Sequence, residues 1–405
     1  MHHEVAGSTQ HGTDRETAAR RLIAAMTDVK PLIAKYADQS ESDRRLPDEV
    51  VEALASTGAF RLLTPRRFGG MEADLRALVD MSTLLGEADG STAWTAMILS
   101  VTNWLACLFP DQAQEDVFGA DPDARVAGAA APTGTGHRTA DGWTVSGRWP
   151  YCSGSWHATW AAVGVLLLDD AGEVTDQVLA LIPTSELVIE DTWFNVGMRA
   201  TGSNTLSGKD IFVPEHRVLS MPRAAEGNRP ASASKRGLYS AALGPMLSVC
   251  LAGPLLGLGD AALRWTAEQG CAKPLSFTVH RRQADSVGFQ TQIGQAAVRL
   301  RTARLHLDEV TADVDAAAQA GRPLPHGDRA RIKAQTAHAA QQILAALDTL
   351  VSAHGAGAFA DDRPLQRMWR DANAAARHAG LNPAVAHEVY GKGILGVEET
   401  VSLLV

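Results

Sequence analysis

The chain has 405 residues, and its 46 acidic against 37 basic residues give a formal net charge of −9. A chain of this length buries a substantial core and has room for two or three domains. Its basic residues form only short clusters interleaved with acids. The composition therefore predicts no binding to nucleic acid, which requires an extended basic surface.

The cysteines and the apolar runs indicate the cellular compartment. Cys107, Cys152, Cys250 and Cys271 are far apart and form no Cys-x-x-Cys pair. This spacing predicts neither a metal site nor a disulfide framework, and a reducing cytoplasm is the expected location. The N-terminus lacks the apolar segment of a signal peptide, and no uncharged run of about eighteen apolar residues suggests a membrane span.

Apolar residues recur at helical spacing through most of the first 120 residues, which predicts an N-terminal helical domain over residues 1–120. Asp48 follows a proline and is expected to open the second helix, since acidic side chains favour the first turn. Ser91 is well placed to cap the fourth helix. The expected helices cover residues 14–36, 48–58, 75–85 and 92–108.

Near residue 121 the apolar period changes, and turn signals such as Asp141-Gly142 separate short runs. This pattern predicts a compact β-barrel or sandwich over residues 121–216. The six expected strands cover residues 126–131, 143–149, 159–168, 178–182, 187–190 and 205–213.

The last part of the chain is predicted to be helical again. Residues 217–237 contain two prolines and several Ala and Ser residues, which is typical of a linker. Beyond them, apolar residues step at threes and fours in a rhythm close to a heptad. This predicts a packed helical bundle over residues 238–405.

Two loops of the middle domain combine glycines, hydroxyls and aromatic side chains. The first is Gly147–Gly154, and the second is Gly197–Asn204. Taken alone, the Ser153-Gly154 pair also fits an ordinary turn at the end of a strand. The two loops together favour a site for a planar, hydrogen-bonding cofactor such as a flavin.

Several motifs resemble the acyl-CoA dehydrogenase fold superfamily from about Asp14 onward. Arg45–Pro47 and Phe68–Gly70 resemble its N-terminal signature. Gly90–Trp94 resembles its oxygen-using branch, the two-component (group D) flavin-dependent monooxygenases. The resemblance implies a mainly α protein with a central β-domain: an N-terminal helical domain, a small β-barrel or sandwich and a C-terminal four-helix bundle.

This resemblance also implies a cofactor and partners. Enzymes of the branch take reduced FAD or FMN from a separate flavin reductase. They form a C4a-hydroperoxyflavin with O₂ and transfer one oxygen atom to a small-molecule substrate. The family's bundles pack together, so a homotetramer is expected.

The dehydrogenase branch needs a carboxylate that removes an α-proton from the substrate. In the usual pattern a glutamate follows a tyrosine near the C-terminus, where this chain has Tyr390-Gly391. The other location falls near Met246, and residues 231–259 contain no Asp or Glu. These absences disfavour acyl-CoA dehydrogenation, which stays an alternative.

In the monooxygenase branch an aromatic-x-Ser-Gly loop lies beside the flavin ring, and Tyr151–Gly154 matches it. A Ser153 hydroxyl near flavin N5 would delay loss of the N5 proton and so the release of hydrogen peroxide. Arg199 is expected either to bind cofactor or to brace its loop, and Arg281 to reach a flavin phosphate. The expected cofactor contacts are Trp149, Tyr151, Cys152, Ser153, Gly154, Arg199, Thr201, Ser203, Arg281 and Gln292.

The C-terminal run Arg370–Ala379 resembles the Arg-Asp…His helix of these monooxygenases, whose histidine faces substrate and flavin. His378 is predicted either to deprotonate the substrate or to hydrogen-bond the distal peroxide oxygen. Arg370 and Asp371 are expected to form a structural ion pair. The expected catalytic residues are His378, Ser153 and Asn382.

The expected substrate pocket contains Trp94, Thr102, Asn103 and His378. Several aromatic hydroxylases of the branch carry a histidine where this chain has Thr102-Asn103, and neither residue is a base at neutral pH. We therefore expect hydroxylation of a small aromatic, indole-like or polycyclic metabolite in natural-product metabolism. N-oxygenation of an amino sugar, acyl-CoA dehydrogenation and a silent scaffold without flavin are the alternatives.

Overall fold

The computed structural model describes residues 4–228, 237–399, 401, 402 and 405, with side chains from residue 21 onward. In the described residues five helices precede the sheet, where the sequence pattern predicted an N-terminal helical region with four. They are α1 (Glu4–Asp43), α2 (Asp48–Thr57), α3 (Leu75–Gly86), α4 (Gly90–Ala106) and α5 (Asp111–Phe118).

The middle of the described chain forms one seven-stranded sheet with the order β5-β6-β2-β1-β3-β4-β7. Strands β1 and β3 run parallel, and the other neighbours are antiparallel. The strands are β1 (Val126–Arg138), β2 (Gly142–Cys152), β3 (Trp160–Leu168), β4 (Val174–Pro183), β5 (Val188–Glu190), β6 (Asn204–Pro214) and β7 (Val218–Ser220).

Helices follow the sheet and form the C-terminal domain. Its two longest helices carry the apolar stripes that predicted a bundle, and stripe residues such as Leu300, Leu307, Ile343 and Leu347 lie in the main core. The helices are α6 (Met221–Ala225), α7 (Leu243–Val249), α8 (Ala252–Gly270), α9 (Val287–Gln319), α10 (His326–His354), α11 (Pro364–Ala375) and α12 (Pro383–Leu395).

The predicted linker over 217–237 begins too early. Strand β7 pairs with β4, with Val178 opposite Ser220, so the sheet continues past residue 216. Helix α6 follows it directly. A three-residue strand has no measurable periodicity, and its pairing partner lies about 40 residues away, so sequence pattern alone missed it. Residues 229–236 of the predicted linker lie outside the described residues.

The cap of α4 is Asp89 rather than the predicted Ser91. The Asp89 carboxylate accepts hydrogen bonds from the Thr92 amide and the Thr92 hydroxyl, each at 2.7 Å. Ser91 lies inside the first turn. A carboxylate both satisfies a free amide and complements the positive end of the helix dipole, so the acid is the better cap.

The N-terminal helices pack on the C-terminal domain through a close backbone contact between α3 and α8. A Cβ atom at Gly257 would lie 2.1 Å from the Thr83 carbonyl oxygen, so only glycine fits there. Contrary to the expectation from the sequence, one segment of the described chain, Leu243–Gly270, is long and apolar enough to cross a membrane by composition. However, 83% of its most apolar window is buried. It is a core segment of the fold, and it holds α3 and α4 against the bundle.

Candidate active site

Predicted site residues from three distant parts of the chain meet where the sheet, α4 and the end of α11 come together. The Trp94 indole N–H of α4 donates a hydrogen bond to Ser153 Oγ at the end of β2, with an N–O distance of 3.1 Å. The rings of Trp94 and His378 meet edge to face, with centroids 5.8 Å apart. The structure thus brings together the two motifs that carry the expected chemistry.

A row of hydroxyls extends from Ser153 into the second glycine-rich loop. Ser153 Oγ lies 2.8 Å from Ser203 Oγ, which lies 2.6 Å from Thr201 Oγ1. The Thr201 hydroxyl donates to the Met198 carbonyl oxygen at 2.8 Å. All three hydroxyl residues are buried. We call Ser153, Ser203 and Thr201 the hydroxyl chain.

Backbone geometry places the two loops side by side. The Gly154 amide donates to the Thr201 carbonyl oxygen at 2.8 Å, and Gly154 adopts φ = +74°, which favours glycine. Tyr151 also has a positive φ, of +65°. Its side chain is 70% exposed and meets Trp193 edge to face. An exposed aromatic surface therefore lies beside the hydroxyl chain.

His378 follows α11, and a backbone amide fixes its tautomer. Its Nδ1 accepts a hydrogen bond from the Gly380 amide at 3.1 Å, so the neutral ring carries its proton on Nε2. The residue is exposed to solvent, and nearby protein atoms partly desolvate its ring. This desolvation lowers the pKa of His378. The imidazole is therefore a neutral N–H donor at neutral pH.

A buried carboxylate holds the far end of the hydroxyl chain. Asp371 Oδ1 accepts a hydrogen bond from the Met198 amide at 2.5 Å. Burial, together with the nearby Asp89 carboxylate, raises the pKa of Asp371 to about 7. The predicted Arg370–Asp371 ion pair is wrong: Arg370 pairs with Glu41 of α1 at 2.6 Å. Consecutive helical residues point in different directions, which separates these two side chains.

Two predicted cofactor contacts belong to the core of the sheet instead. Trp149 is fully buried, and its indole N–H donates to the Gly164 carbonyl oxygen at 2.8 Å. Cys152 is also fully buried, and its thiol donates to the Trp149 carbonyl oxygen. A register shift between Trp149 and Cys152 and the positive φ of Tyr151 interrupt the side-chain alternation of β2. Trp149 and Cys152 therefore both lie in the core of the sheet, while Tyr151 is exposed. Their role is packing.

The predicted pocket residues of α4 also serve the fold. The Asn103 amide group donates to the Phe60 and Ala124 carbonyl oxygens, and Asn103 Oδ1 accepts from the Val126 amide. These three bonds, of 2.8 to 3.0 Å, join α4 to the start of β1, to the residues just before it and to the segment that contains Phe60. The Thr102 hydroxyl donates to the Ile98 carbonyl oxygen of its own helix. Neither side chain is left to face a substrate.

Arg199 braces its loop, which was the second of the two roles expected for it. Its guanidinium donates to the Glu41 and Asn195 carbonyl oxygens at 3.3 and 3.0 Å. Asn382, predicted as a catalytic residue, instead caps α12. Its Oδ1 accepts from the Ala384 amide at 3.0 Å.

Arg281 and Gln292 belong to a different part of the chain from the hydroxyl chain, at and before the start of α9. Arg281 is exposed in the segment before α9, and Gln292 is half-buried near the start of that helix. The expected contact of Arg281 with a flavin phosphate across a subunit boundary, and the expected place of Gln292 in the cofactor site, stay predictions.

Sequence reasoning missed the role of Met198, because this residue acts through its backbone. Its carbonyl accepts from the Thr201 hydroxyl and from the Trp193 indole N–H, both at 2.8 Å, while its amide is held by Asp371. Met198 has φ = +53°, which is uncommon for a residue with a side chain. The glycine that precedes it was the one available signal of an unusual loop.

The donors and acceptors of this cluster suit a reduced flavin ring. Tyr151 offers an exposed aromatic surface, and Ser153 has a hydroxyl lone pair for a ring N–H group. A planar heterocycle with an N–H group matches this pair, and the His378 N–H donor close to Trp94 is left for a substrate.

Comparisons with known proteins agree with the geometry. Residues 13–116 match the family model of the acyl-CoA dehydrogenase N-terminal domain, and residues 249–383 match that of the C-terminal domain. The oxygenase subunit HsaA of a flavin-dependent monooxygenase from Mycobacterium tuberculosis is 35% identical over 94% of this chain and 96% of its own length.

Two further relatives are similar over nearly their whole length. The oxygenase component of an FADH₂-dependent resorcinol hydroxylase from Rhizobium sp. is 32% identical over 93% of this chain and 95% of its own. The structure of XiaF from Streptomyces sp. with FADH₂ and glycerol superposes with a TM-score of 0.92. It is 35% identical and covers 96% of this chain and 98% of its own.

The fold, the paired loop and helix motifs, and these full-length relatives agree. The chain belongs to the acyl-CoA dehydrogenase fold superfamily, as a flavin-dependent monooxygenase that forms the oxygenase subunit of a two-component system.

Proposed function

We propose that this oxygenase hydroxylates a small aromatic, indole-like or polycyclic metabolite in natural-product metabolism, using reduced FAD or FMN and O₂. The observation that carries the proposal is the contact of Trp94 with both Ser153 and His378. It places an aromatic wall and a neutral imidazole donor beside the flavin loop. When bound, the reduced flavin activates O₂ and supplies one oxygen atom to the substrate.

Ser153 and Tyr151 are proposed to hold the flavin ring. The exposed Tyr151 side chain packs along the isoalloxazine, and Ser153 Oγ accepts a hydrogen bond from N5–H. Ser203 and Thr201 follow Ser153 in the hydroxyl chain, with Oγ–Oγ distances of 2.8 and 2.6 Å, and are proposed to support Ser153 from there. Arg281 is proposed to reach the flavin phosphate of a neighbouring subunit, and Gln292 to line the cofactor site.

His378 is proposed to orient the substrate as a hydrogen-bond donor. Nδ1 is already engaged by the Gly380 amide, so Nε2–H is the group that a bound substrate can reach. Of the two roles expected from the sequence, this tautomer favours donation over proton abstraction. A ring that is already electron-rich, such as an indole, needs no strong base for its hydroxylation.

The carboxylates nearest to the loop contacts do not favour acyl-CoA dehydrogenation. Asp89 caps α4, and Asp371 accepts from the Met198 amide. Both side chains are buried, and burial raises the pKa of each. A carboxylate engaged in this way is not free to remove an α-proton from a thioester.

The remaining proposals concern assembly and location. Large apolar side chains are exposed in the segment before α9 and along α9 itself, which supports a homotetramer: Phe277, Val279, Val287, Val298 and Leu305. A separate flavin reductase is proposed to deliver the reduced flavin by diffusion or transient contact. The cytoplasm is the proposed location.

The test mixes the protein with reduced FAD or FMN under anaerobic conditions, and then with oxygenated buffer containing indole, a polycyclic phenol or an amino sugar. Hydroxylated aromatic product, with a matching fall in hydrogen peroxide release, supports the proposal. Oxygenation of the amino sugar alone would support the N-oxygenase alternative. Failure to bind either reduced flavin would contradict the flavin site itself.

A further inference from the structure

We propose that the hydroxyl chain has one fixed direction, and that this direction makes the site prefer flavin that carries a proton on N5 to oxidised flavin. In this proposal Ser203 and Thr201 are positioning residues, which act through Ser153 without touching the flavin. The inference rests on the proposed contact between Ser153 and flavin N5. The proposed cause of the redox preference lies in Ser203 and Thr201, the two side chains behind Ser153.

The direction follows from the number of protons available. Three consecutive O–O contacts join Ser153 to Ser203, Ser203 to Thr201, and Thr201 to the Met198 carbonyl, at 2.8, 2.6 and 2.8 Å. Each contact needs one proton, because two oxygen atoms at such distances repel without one. The three hydroxyls supply three protons, and the carbonyl supplies none.

Only one arrangement satisfies every contact. The proton between Thr201 and Met198 must come from Thr201, since a carbonyl only accepts. Thr201 then has no proton left for Ser203, so Ser203 donates to Thr201. For the same reason Ser153 donates to Ser203. The hydroxyl protons therefore all point away from the Ser153 end of the chain.

The contact with Trp94 completes the assignment at Ser153. An indole N–H can only donate, so one lone pair of Ser153 Oγ is occupied by Trp94. The hydroxyl proton is occupied by Ser203. One lone pair remains, and Ser153 can offer it only to a donor. Reduced flavin carries a proton at N5 and can donate there, whereas oxidised flavin has a lone pair at N5.

The surroundings keep the chain from reversing. Ser153, Ser203 and Thr201 are 7%, 6% and 2% exposed, so bulk water has little access for exchanging partners with them. The Met198 carbonyl is held at the chain's end by the Trp193 indole, and the Met198 amide by Asp371. Reversal would leave two acceptors facing each other at Met198, which costs free energy in a buried site.

The decisive variant is Thr201→Val, because Thr201 is separated from Ser153 by Ser203. Without the Thr201 hydroxyl, Ser203 can donate to Ser153, and the Ser153 proton becomes free to point at N5. The measured quantities are the dissociation constants of oxidised and of anaerobically reduced FAD, and likewise of FMN. We expect the oxidised-to-reduced ratio to fall about tenfold, which lowers the two-electron potential of bound flavin by about 30 mV.

Three further variants make the result specific. Ser203→Ala removes the acceptor of the Ser153 proton directly and should lower the same ratio. It keeps the test available if Thr201→Val folds poorly. Thr201→Ser keeps the hydroxyl and should restore the wild-type ratio. Thr336→Val is the matched control, since Thr336 is fully buried in α10 and its hydroxyl donates to Ile332 of its own helix.

The outcomes separate this inference from the proposed function. A wild-type ratio in both Thr201→Val and Ser203→Ala, with hydroxylation intact in the wild type, overturns the directional chain alone. An equal loss of preference in Thr336→Val would also overturn it, since that change does not touch the chain. A wild-type protein that binds neither redox state of either flavin contradicts both proposals.

Discussion

The two loops of the β-domain and the middle of α4 both contain buried polar side chains that the sequence pointed to as site residues. In α4, Asn103 uses both ends of its amide on three backbone groups. In the loops, Ser153 ends a hydrogen-bonded chain with one lone pair to spare. Buried polar groups are normally satisfied by the protein itself. The difference teaches that unused hydrogen-bonding capacity, rather than polarity, marks the candidate site.

Asn103→Ala gives the largest expected effect and tests the structural half of this comparison. The change leaves the Phe60 and Ala124 carbonyls and the Val126 amide without partners in a buried place. At about 1–3 kcal/mol for each unsatisfied group, reduced by local relaxation, we expect a loss of about 3–5 kcal/mol of unfolding free energy. Chemical denaturation measures it. An unchanged unfolding free energy with impaired hydroxylation would contradict the structural role and support the expected place of Asn103 in the substrate pocket.

His378→Ala tests the functional half. We expect coupled product formation to fall about 100-fold, with flavin affinity within about twofold of wild type, because the imidazole acts on substrate rather than on flavin binding. His378→Gln keeps an N–H donor and should recover part of the loss. Product yield per reduced flavin is the readout. Equal yields for the wild type and the alanine variant would remove His378 from the reaction.

Asp371→Asn tests how the buried Asp371 carboxyl makes the unfolding free energy depend on pH. The folded-state pKa is raised to about 7, so between about pH 4 and pH 7 the folded protein retains a proton that the unfolded chain has released. The stability conferred by this group therefore falls as pH rises through that window. We expect the wild type to lose about 2 kcal/mol more than the variant between pH 5 and pH 8. Chemical denaturation at the two pH values measures the difference. The same change in unfolding free energy for the wild type and the variant would contradict the raised pKa of Asp371.

Ser153→Ala gives the smallest expected effect. Removing a hydroxyl that accepts from Trp94 and N5–H should speed hydrogen peroxide release several-fold to tenfold, equivalent to about 1 kcal/mol. The unfolding free energy should change less than in Asn103→Ala, because one buried donor, the Trp94 indole N–H, loses its partner instead of three backbone groups. Stopped-flow oxidation without substrate measures the release rate. An unchanged rate would contradict the contact with N5.

The sequence was sufficient for the order of helices, strands and helices, since these depend on local apolar periodicity. It was also sufficient for the family, because the motifs at Tyr151–Gly154 and Arg370–Ala379 occupy consecutive positions. The full-length relatives confirm the monooxygenase assignment that those motifs suggested. Strand β7 was missed because three residues show no period.

Only the tertiary structure decided which side chains meet. Ser153 and Ser203 are 50 positions apart, and Met198 and Asp371 are 173 positions apart. It also decided that Trp149 and Cys152 face the core, and that Asp371 binds an amide instead of Arg370. The local apolar pattern of the sequence predicts which face of a helix or strand a residue occupies. Its hydrogen-bond partners depend on how separate helices, strands and loops pack. The chemistry of a buried hydroxyl depends on those partners, so the residue types were readable from sequence and their donor or acceptor roles were not.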